Sequence, residues 1–381
     1  MIYIDCTECI PKGSIRFHGG ANYGKRAVQL LSRAGKHVTV LLQKDSHSEM
    51  DERFYSELNA KVIYIDDLQA FEGGASDDIL FIPMIPTRRL SIIKKLQINN
   101  VGMKVYVTIH GVRKMDLRPD VMDHYYTYAR IRYLRHFFSI IKYRFGCVAY
   151  KRLFSEYIPC FDKVFTDSND SMQKIQRICS PRYIKYFYLG SINSDFDVYT
   201  AHSQGYYFLV VSGGRPEKNL LRTLLAFQQF VEETNSEFKL IVTGISDEIR
   251  NNILCCPRFN QSLISEHVVF KPYVDAAELR ELYINCKCVL YLSKSEGFGL
   301  PLVEAALYEK PIITSSITAM PEVLASGAYY ANPYDVNSIC RSMIDFCNID
   351  EDYINNQSQR TRKLVIDKIN NADKDFLLEF V

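Results

Sequence analysis

The segment SEGFGLPLVEA, residues 295–305, decides the fold class of the second half of this chain. It follows the apolar run Cys288–Leu292, which is typical of a buried β-strand, and it leads into a helical pattern over Leu302–Tyr308. Pro301 suits the first turn of that helix because its missing N–H would have no intrahelical partner there. A strand, a glycine-containing loop and a helix in this order indicate a βα unit of a parallel sheet.

The two glycines of this loop, Gly297 and Gly299, predict a ligand site at the start of the helix. Glycine permits positive φ and a close approach of ligand to backbone. The amides of Gly299 and Leu300 would lie at the positive end of the helix, which favours phosphate. Glu296 lies in the loop and Glu304 about one turn inside the helix, and one carboxylate accepts two hydrogen bonds from a vicinal diol. We expect this segment to hold the two sugars on either side of a diphosphate; the alternative is a helix cap without a ligand.

A second glycine-containing turn, VVSGGRPEKN at residues 210–219, ends the predicted strand Tyr207–Ser212. Arg215 and Lys218 follow Gly214 in this turn. We expect both cations to face a ligand whose diphosphate develops charge as it leaves. The alternative is a solvated pair of surface charges.

Short β-rich runs alternate with helical patterns along the whole chain, which predicts α/β domains with parallel sheets. The polar segment from Gly190 to Gly205 is interpreted as a linker. We therefore predict two Rossmann-like, doubly wound domains, residues 1–198 and 199–360, with a ligand cleft between the carboxyl ends of their sheets. Residues 361–381 are expected to form a C-terminal helix that packs back on the first domain. The predicted strands outside the segments already quoted are Ile2–Asp5, His37–Leu42, Lys61–Ile65, Ile79–Ile82, Lys104–Ile109, Lys163–Thr166, Phe238–Thr243, Val268–Phe270 and Pro311–Thr314.

The composition and the N-terminal sequence disfavour a nucleic-acid-binding protein and a secreted disulfide-rich protein. The 381 residues carry 46 Lys and Arg against 44 Asp and Glu, a net charge of +2, which disfavours a nucleic-acid partner. The N-terminal sequence MIYIDCTECIPKG lacks the features of a signal peptide, and the 11 cysteines lack the density of a disulfide scaffold. We expect reduced cysteines and a cytoplasmic location.

Together the quoted motifs resemble the retaining glycosyltransferases of family four, most strongly over residues 207–335. The resemblance also includes VVFKPYV at 268–274, ELRELY at 278–283 and the pair PII, 311–313, and MPEV, 320–323. It implies a fold of the GT-B type, two Rossmann-like domains that face a central cleft, and a UDP-, GDP- or dTDP-linked sugar as donor. One departure is Lys310, which replaces a glycine that is usual before Pro311.

The resemblance also implies roles for individual residues. Glu304 would bind the nucleotide ribose, and Glu296 would lie by the donor sugar and its reacting carbon. Arg215 and Lys218 would neutralise the diphosphate, and the backbone around Val274 would contact the base. The predicted donor-binding residues further include Phe298, Gly299, Leu300, Gly214, Gly19 and Gly20.

In the first half, two short motifs follow predicted strands. The segment HGGANYG, residues 18–24, resembles the glycine loop that approaches the donor diphosphate and the acceptor in that family, although a plain turn is the alternative. His110 ends another strand, at a position where the family commonly has a histidine near the reacting sugar. We predict a catalytic role for His110; the alternative is a structural histidine whose hydrogen bonds are satisfied.

The segment 124–155 combines basic and aromatic side chains and contains no Asp or Glu. Such a segment can lie on an anionic bilayer with its rings at the level of the headgroups. The alternative is a helix packed on its domain with a solvated basic face, and the sequence leaves both open. The basic residues are Arg130, Arg132, Arg135, Lys142, Arg144, Lys151 and Arg152.

We therefore predict a retaining glycosyltransferase that needs no metal or other cofactor. It would move a hexose from a nucleotide-diphosphate sugar to a saccharide or lipid-linked acceptor in bacterial surface-polysaccharide or lipopolysaccharide biosynthesis, at the inner face of the membrane. Retention rests on the resemblance alone. A nucleotide-sugar epimerase and a non-catalytic nucleotide-sugar-binding protein are the alternatives. A nicotinamide dehydrogenase is disfavoured, because no G-x-G-x-x-G follows the first strand of either half.

Overall fold

Parallel strands separated by helices run through the chain, as the alternating pattern predicts. The computed structural model describes residues 1–9, 19–44, 49–73, 77–127, 132–188 and 205–381, so nearly all of the predicted linker from Gly190 to Gly205 lies outside the described residues. The chain divides into two units. Unit 1 comprises Met1–Val112, Gly146–Asp195 and Lys368–Val381, and unit 2 comprises Arg113–Phe145 and Phe196–Asp367.

The described strands of unit 1 form one parallel sheet, and helices connect most neighbours in sequence. Its strands are β1 (Ile2–Asp5), β2 (Val38–Gln43), β3 (Lys61–Ile65), β4 (Ile79–Ile82), β5 (Lys104–Ile109), β6 (Lys163–Thr166) and β7 (Ile184–Tyr186). Their order in the sheet is β3-β2-β1-β4-β5-β6-β7. The helices are α1 (Gly19–Arg33), α2 (Glu49–Glu57), α3 (Ile92–Asn99), the second part of α5 (Arg132–Tyr157) and α6 (Asn169–Gln176). The strand β5 is buried from Val105 onward, as expected for a strand covered on both faces.

Unit 2 repeats the same architecture around a second parallel sheet. Its strands are β8 (Tyr207–Val210), β9 (Lys239–Val242), β10 (Val268–Phe270), β11 (Cys288–Tyr291), β12 (Ile312–Ser315) and β13 (Tyr329–Ala331), in the order β10-β9-β8-β11-β12-β13. The helices are α4 (Arg113–Asp116), α7 (Leu220–Thr234), α8 (Asp247–Leu254), α9 (Gln261–His267), α10 (Ala276–Asn285), α11 (Leu300–Leu307), α12 (Met320–Leu324), α13 (Val336–Cys347) and the first part of α14 (Glu351–Leu378).

Aromatic side chains fill the core of each unit. In unit 1, Phe376 and Phe380 near the C-terminus pack against Phe81 of β4, with ring centroids 5.8 and 5.4 Å away. In unit 2, Phe208 of β8 packs against Phe230 of α7 at 5.6 Å. Burying side chains of this size is a major contribution to the stability of each sheet–helix interface.

The predicted strands are found with shifts of one or two residues at their ends, and the structure adds two that the sequence did not predict. The added strands, β7 and β13, are three-residue strands at sheet edges. So short a segment has no measurable periodicity, and unlike β10 neither lies in a quoted motif. A second difference concerns residues 113–145. The sequence placed them in the first domain, whereas the structure places them in unit 2. Within the described ranges, no helix is long and apolar enough to cross a membrane.

Candidate active site

The loop between β11 and α11 supplies a helix N-terminus. Gly299 precedes the helix with φ +91°, a left-handed conformation that glycine adopts at little cost. A Cβ there would lie 3.1 Å from Leu302 Cδ1, so a larger residue would also crowd the first turn. Among the described residues no side chain caps α11, so the amides around Leu300 can bind a ligand at the positive helix end. Phe298, also predicted for the site, is buried beside them.

Glu296 is buried in this loop and forms an ion pair with Lys218. Its Oε1 lies 2.6 Å from Lys218 Nζ and accepts a hydrogen bond from Ser293 Oγ at 2.7 Å. Burial raises the pKa of Glu296, but the Lys218 charge and these hydrogen bonds outweigh it and hold the pKa below its usual value. Glu296 is therefore an ionised hydrogen-bond acceptor whose position is fixed.

The Lys218 ammonium is also held by Tyr291, at the end of β11. Its Nζ donates to the Tyr291 hydroxyl at 2.5 Å and lies 4.5 Å from the centroid of that ring. The Lys218 side chain is only 3% exposed, and burial lowers its pKa against the opposing effect of Glu296. The sequence predicted a cation that faces the ligand directly, whereas the structure buries this cation between an acid and an aromatic ring.

Arg215 is the accessible cation of the same turn. Its side chain is 51% exposed, and its Nη1 lies 3.4 Å from Oε1 of the buried Glu217, which also accepts a hydrogen bond from Arg113 at 3.0 Å. Sharing Glu217 with Arg113 leaves much of the Arg215 charge exposed to an approaching anion. The predicted pair of cations thus divides into an accessible arginine and a buried lysine.

The loops after β8, β9 and β10 lie side by side at the carboxyl edge of the unit 2 sheet. The Gly214 N–H donates to Gly244 O at 3.2 Å, and the Gly244 N–H donates to Pro272 O at 3.1 Å. A Cβ on Gly214 would lie 2.6 Å from the Gly244 carbonyl oxygen, so only glycine fits at position 214. Val274, predicted to contact the base through its backbone, is buried two residues after Pro272.

Glu304 lies within α11, one turn from its start, in an environment unlike that of Glu296. It is partly buried, and its Oε2 accepts a hydrogen bond from the Tyr283 hydroxyl at 2.9 Å. Burial raises the pKa of Glu304 to about 7, against the weaker lowering effects of Tyr283 and Lys218. The sequence did not single out Tyr283 as a site residue, although the ELRELY motif contains it.

The structure brings Arg215, Lys218, Glu296 and Glu304 together in unit 2. Lys218 contacts Glu296 directly, its charge acts on the pKa of Glu304, and the Arg215 charge acts on the pKa of Lys218. The four charges therefore lie near one another, and that they share one ligand site stays a prediction. Their roles toward a ligand remain predictions.

A segment that the sequence did not connect to the site, residues 113–123, packs against both motifs. The Arg222 guanidinium binds the Asp120 carboxylate through two hydrogen bonds, of 2.6 and 3.0 Å. Lys294, fully buried two residues before Glu296, forms ion pairs with Asp120 and Asp123. The carboxylate of Asp116 accepts a hydrogen bond from Ser295 Oγ at 3.3 Å. These contacts join acids and bases more than 100 positions apart, and no local pattern could have revealed them.

The predicted residues of the first half lie in unit 1. His110 follows β5, and its Nε2 donates to the Pro83 carbonyl at 2.8 Å, while Nδ1 lies 3.2 Å from Asp167 Oδ2. Its ring meets the edge of Tyr23 at 4.8 Å between centroids. Gly19 and Gly20 begin α1, and residues 10–18 before them, including His18, lie outside the described residues. His110 thus has the contacts of a positioned ring, and its catalytic role stays a prediction.

Comparisons with known proteins find similar sequences for part of this chain. A family profile described as glycosyl transferases group 1 matches residues 191–364. O-antigen chain mannosyltransferase B of Escherichia coli is 29% identical over 136 residues, 35% of this chain and 34% of that protein. O-antigen chain mannosyltransferase RfbU of Salmonella typhimurium is 30% identical over 142 residues, 35% of this chain and 36% of that protein. The chain therefore aligns with about a third of the length of these curated relatives.

Solved structures resemble the chain over its whole length. A glycosyltransferase from Rickettsia africae has a TM-score of 0.68 at 14% identity and covers 100% of this chain and 97% of its own. Anabaena HepE, solved with UDP and glucose, has a TM-score of 0.64 at 12% identity and covers 100% and 98%. At these identities the likeness establishes the fold, and it confirms the predicted GT-B type with two Rossmann-like domains. The second half of this chain, residues 191–364, is thus similar in sequence to glycosyl transferases group 1.

Proposed function

We propose that this protein is a glycosyltransferase that moves a hexose from a nucleotide-diphosphate sugar to a saccharide or lipid-linked saccharide in bacterial surface-polysaccharide assembly. The cluster of Arg215, Lys218, Glu296 and Glu304 around the N-terminus of α11 is the observation that carries this proposal. The names of the two O-antigen mannosyltransferases support it and make mannose the first hexose to test.

The positive groups of the site suit a departing diphosphate. Arg215 offers an accessible guanidinium, which can bind two phosphate oxygens at once. The start of α11 offers amides at the positive end of the helix dipole. Charge placed in advance where negative charge develops is commonly the largest catalytic term, so we propose that departure of the diphosphate needs no divalent metal.

The two glutamates suit the two sugars of the donor. Glu296, ionised and fixed by Lys218 and Ser293, accepts hydrogen bonds from hydroxyls of the sugar being transferred. Glu304 on α11 accepts hydrogen bonds from the ribose diol. The bond from the anomeric carbon to the diphosphate oxygen breaks, the bond to the acceptor oxygen forms on the same face, and the acceptor proton passes to the departing phosphate. This course retains the anomeric configuration.

A thermal-shift screen over UDP-, GDP- and dTDP-sugars, including mannosyl donors, tests the donor site directly, because a ligand that binds only the folded state raises its apparent stability. The donor found is then incubated with candidate acceptors, with and without a chelator, and the product anomer is read by NMR. Nucleotide release that depends on acceptor supports a transferase. Interconversion of the donor sugar would show an epimerase, and binding without turnover would show a sensor; either result contradicts the proposal.

In the first part of α5, the part that belongs to unit 2, polar side chains are the less exposed ones and large apolar side chains are exposed to solvent. Its less exposed positions, spaced three or four residues apart, are His136, Ser139 and Tyr143. Large apolar side chains face outward instead; Phe137 and Phe138 are each 58% exposed and Phe145 is 74% exposed. The other exposed apolar side chains of this stretch are Tyr133, Leu134, Ile140 and Ile141. An exposed apolar helix surface of this size is typical of an interaction site.

The charges of the same surface favour an anionic bilayer as its partner. Arg135, Lys142 and Arg144 are exposed among the apolar residues, and segment 124–155 contains no acid. A second copy of the chain would bring like charges together, whereas anionic lipids would attract each cation by about 1 kcal/mol near the surface. The protein would thus act at the inner face of the membrane, where a lipid-linked acceptor is available.

Flotation with neutral and phosphatidylglycerol-containing vesicles tests this surface. Wild type should float with anionic vesicles only, and Arg135→Glu/Lys142→Glu/Arg144→Glu should not float. The control variant Arg360→Glu/Lys363→Glu changes exposed cations of α14 and should behave like wild type. Equal flotation of wild type and the α5 variant would contradict membrane docking and would leave the donor-site proposal untouched.

A further inference from the structure

A cavity of about 480 Å³ opens in unit 2 beside the segment 113–123. This volume lies within the range of roughly 300–1,000 Å³ that is usual for small-molecule sites. The donor motifs do not form it, although Arg222 and the 113–123 segment connect it to them. Its lining residues are Asp116, Arg118, Pro119, Asp120, Val121, His136, Arg222 and Tyr334.

One wall of the cavity is rigid because its charges are already paired. Asp120 accepts two hydrogen bonds from Arg222 and one from the Met122 backbone at 3.0 Å, and it also pairs with the buried Lys294. Burial raises the pKa of Asp120, but Arg222 and Lys294 lower it more, to about 2. This carboxylate therefore stays ionised and fixed at every physiological pH, and its wall needs no rearrangement when a ligand enters.

The remaining lining groups offer both donors and acceptors. Asp116 presents a carboxylate, and Arg118 is exposed and forms no ion pair with the described residues. The Nδ1 atom of His136 is buried and has no hydrogen-bond partner within the described part of the chain. Tyr334 is 46% exposed, with the Arg222 guanidinium 5.6 Å from its ring centroid, which steadies the ring as one wall of the cavity.

The mixture of charges decides which ligand class fits. A phosphate or other anion would meet the carboxylates of Asp116 and Asp120, and Arg222 is already committed to Asp120. An apolar ligand would leave the Nδ1 atom of His136 without a hydrogen-bond partner among the described residues. A pyranose ring satisfies both requirements: its hydroxyls donate to carboxylates and accept from Arg118 and imidazole, and its C–H face packs on an aromatic ring.

We propose that this cavity binds one pyranose unit of the acceptor saccharide. In naming the ligand as the acceptor, this inference rests on the proposed transferase function. Asp116 links the cavity to the donor motif, since its carboxylate accepts the hydrogen bond from Ser295, the residue before Glu296. A saccharide in the cavity would thus be held by a wall that also contacts the loop of the reacting centre.

Saccharide binding without donor tests the cavity independently of transfer. Saturation-transfer NMR with methyl glycosides of mannose, glucose, galactose and N-acetylglucosamine, and with an α-linked mannotriose, is compared between wild type, Tyr334→Ala and Arg118→Ala. Loss of the aromatic wall or of the donor should weaken the best-binding saccharide about tenfold, which corresponds to ~1.4 kcal/mol. The control Tyr353→Ala removes an exposed tyrosine of α14 outside the cavity and should bind like wild type.

In steady-state kinetics, Tyr334→Ala should raise the KM for the acceptor about tenfold. Its thermal stabilisation by the nucleotide sugar should equal that of wild type. If no probe binds wild type, or if Tyr334→Ala and Arg118→Ala bind as wild type does, the assignment of the cavity is wrong. A normal donor shift in those proteins would show that the transferase proposal survives. If no nucleotide sugar raises the thermal stability of wild type, the result would instead contradict the proposed function itself.

Discussion

Glu296 and Glu304 belong to one motif, yet the structure gives them opposite electrostatic environments. Glu296 lies in the loop against the ammonium of Lys218, and its pKa is held below the usual value. Glu304 lies on the helix against the neutral hydroxyl of Tyr283, and burial raises its pKa to about 7. The difference shows that the partner of a carboxylate decides whether the rise in pKa that burial causes is offset.

That difference also agrees with the separate roles that we propose for the two glutamates. The glutamate assigned to the reacting sugar is permanently ionised, as an electrostatic role at a developing positive centre requires. The glutamate assigned to the ribose needs only to accept hydrogen bonds, and it can therefore tolerate a pKa near neutrality. The following predictions test the two environments against each other, from the largest expected effect to the smallest.

The largest effect is expected from breaking the buried ion pair. Glu296→Gln should lower kcat by about 10²–10³-fold, because it removes a fixed charge from the reacting centre. The same substitution should also lower the free energy of unfolding, since an unpaired charge left in a buried pair typically costs about 3–5 kcal/mol.

Urea unfolding separates the two effects. Glu296→Gln and Lys218→Met should each lower the free energy of unfolding, whereas the double variant Lys218→Met/Glu296→Gln should recover much of it and stay inactive. Equal stability of the single and double variants would show that the two groups are not coupled, and the electrostatic assignment of Glu296 would fail.

A smaller, pH-dependent effect is expected at Glu304. A pKa raised from 4.5 to about 7 on folding means that the folded state holds this proton more tightly than the unfolded state. Wild type therefore loses stability as the pH rises from about 4.5 to about 7, by about 3 kcal/mol at most and by less where solvent screens the group. Glu304→Gln keeps an acceptor for Tyr283 and does not titrate, so it does not lose stability in this pH range. The free energy of unfolding of Glu304→Gln relative to wild type should therefore be more favourable at pH 8 than at pH 5. Parallel pH profiles of unfolding for the two proteins would contradict the raised pKa.

The smallest effect is expected at Tyr291. Tyr291→Phe removes the hydroxyl that accepts from Lys218 and keeps the ring beneath the ammonium. Losing one such hydrogen bond is worth about 1 kcal/mol, so turnover should fall about fivefold. The control Tyr329→Phe removes a hydroxyl that donates to Gln357 at 2.8 Å in the same unit and should leave turnover unchanged. Turnover that falls equally in both would indicate a general loss of stability.

Much of the fold could be predicted because its determinants are local. Strands such as Ile2–Asp5 and Lys104–Ile109 are short apolar runs bounded by polar residues, and the structure has them with the predicted ends. The edge strand Tyr329–Ala331 was not predicted, because three residues give no periodicity and, unlike Val268–Phe270, they lie in no quoted motif. The placement of residues 113–145 in unit 2 was also not predicted. The ion pairs of Asp120 and Asp123 with Lys294 join residues that are distant in sequence, so no local pattern reveals them.

By itself, the sequence determined the two parallel-sheet domains and the identities of the four charged groups, because alternating strands and helices and glycine-containing turns are written in neighbouring residues. Only the tertiary structure decided that Lys218 and Glu296 form a buried ion pair and that the pKa of Glu304 is raised to about 7. It also decided that Arg215 is the cation exposed to solvent. The physical reason is that solvation and Coulomb energies depend on distances in space, and Lys218 reaches Glu296 across 78 positions of sequence.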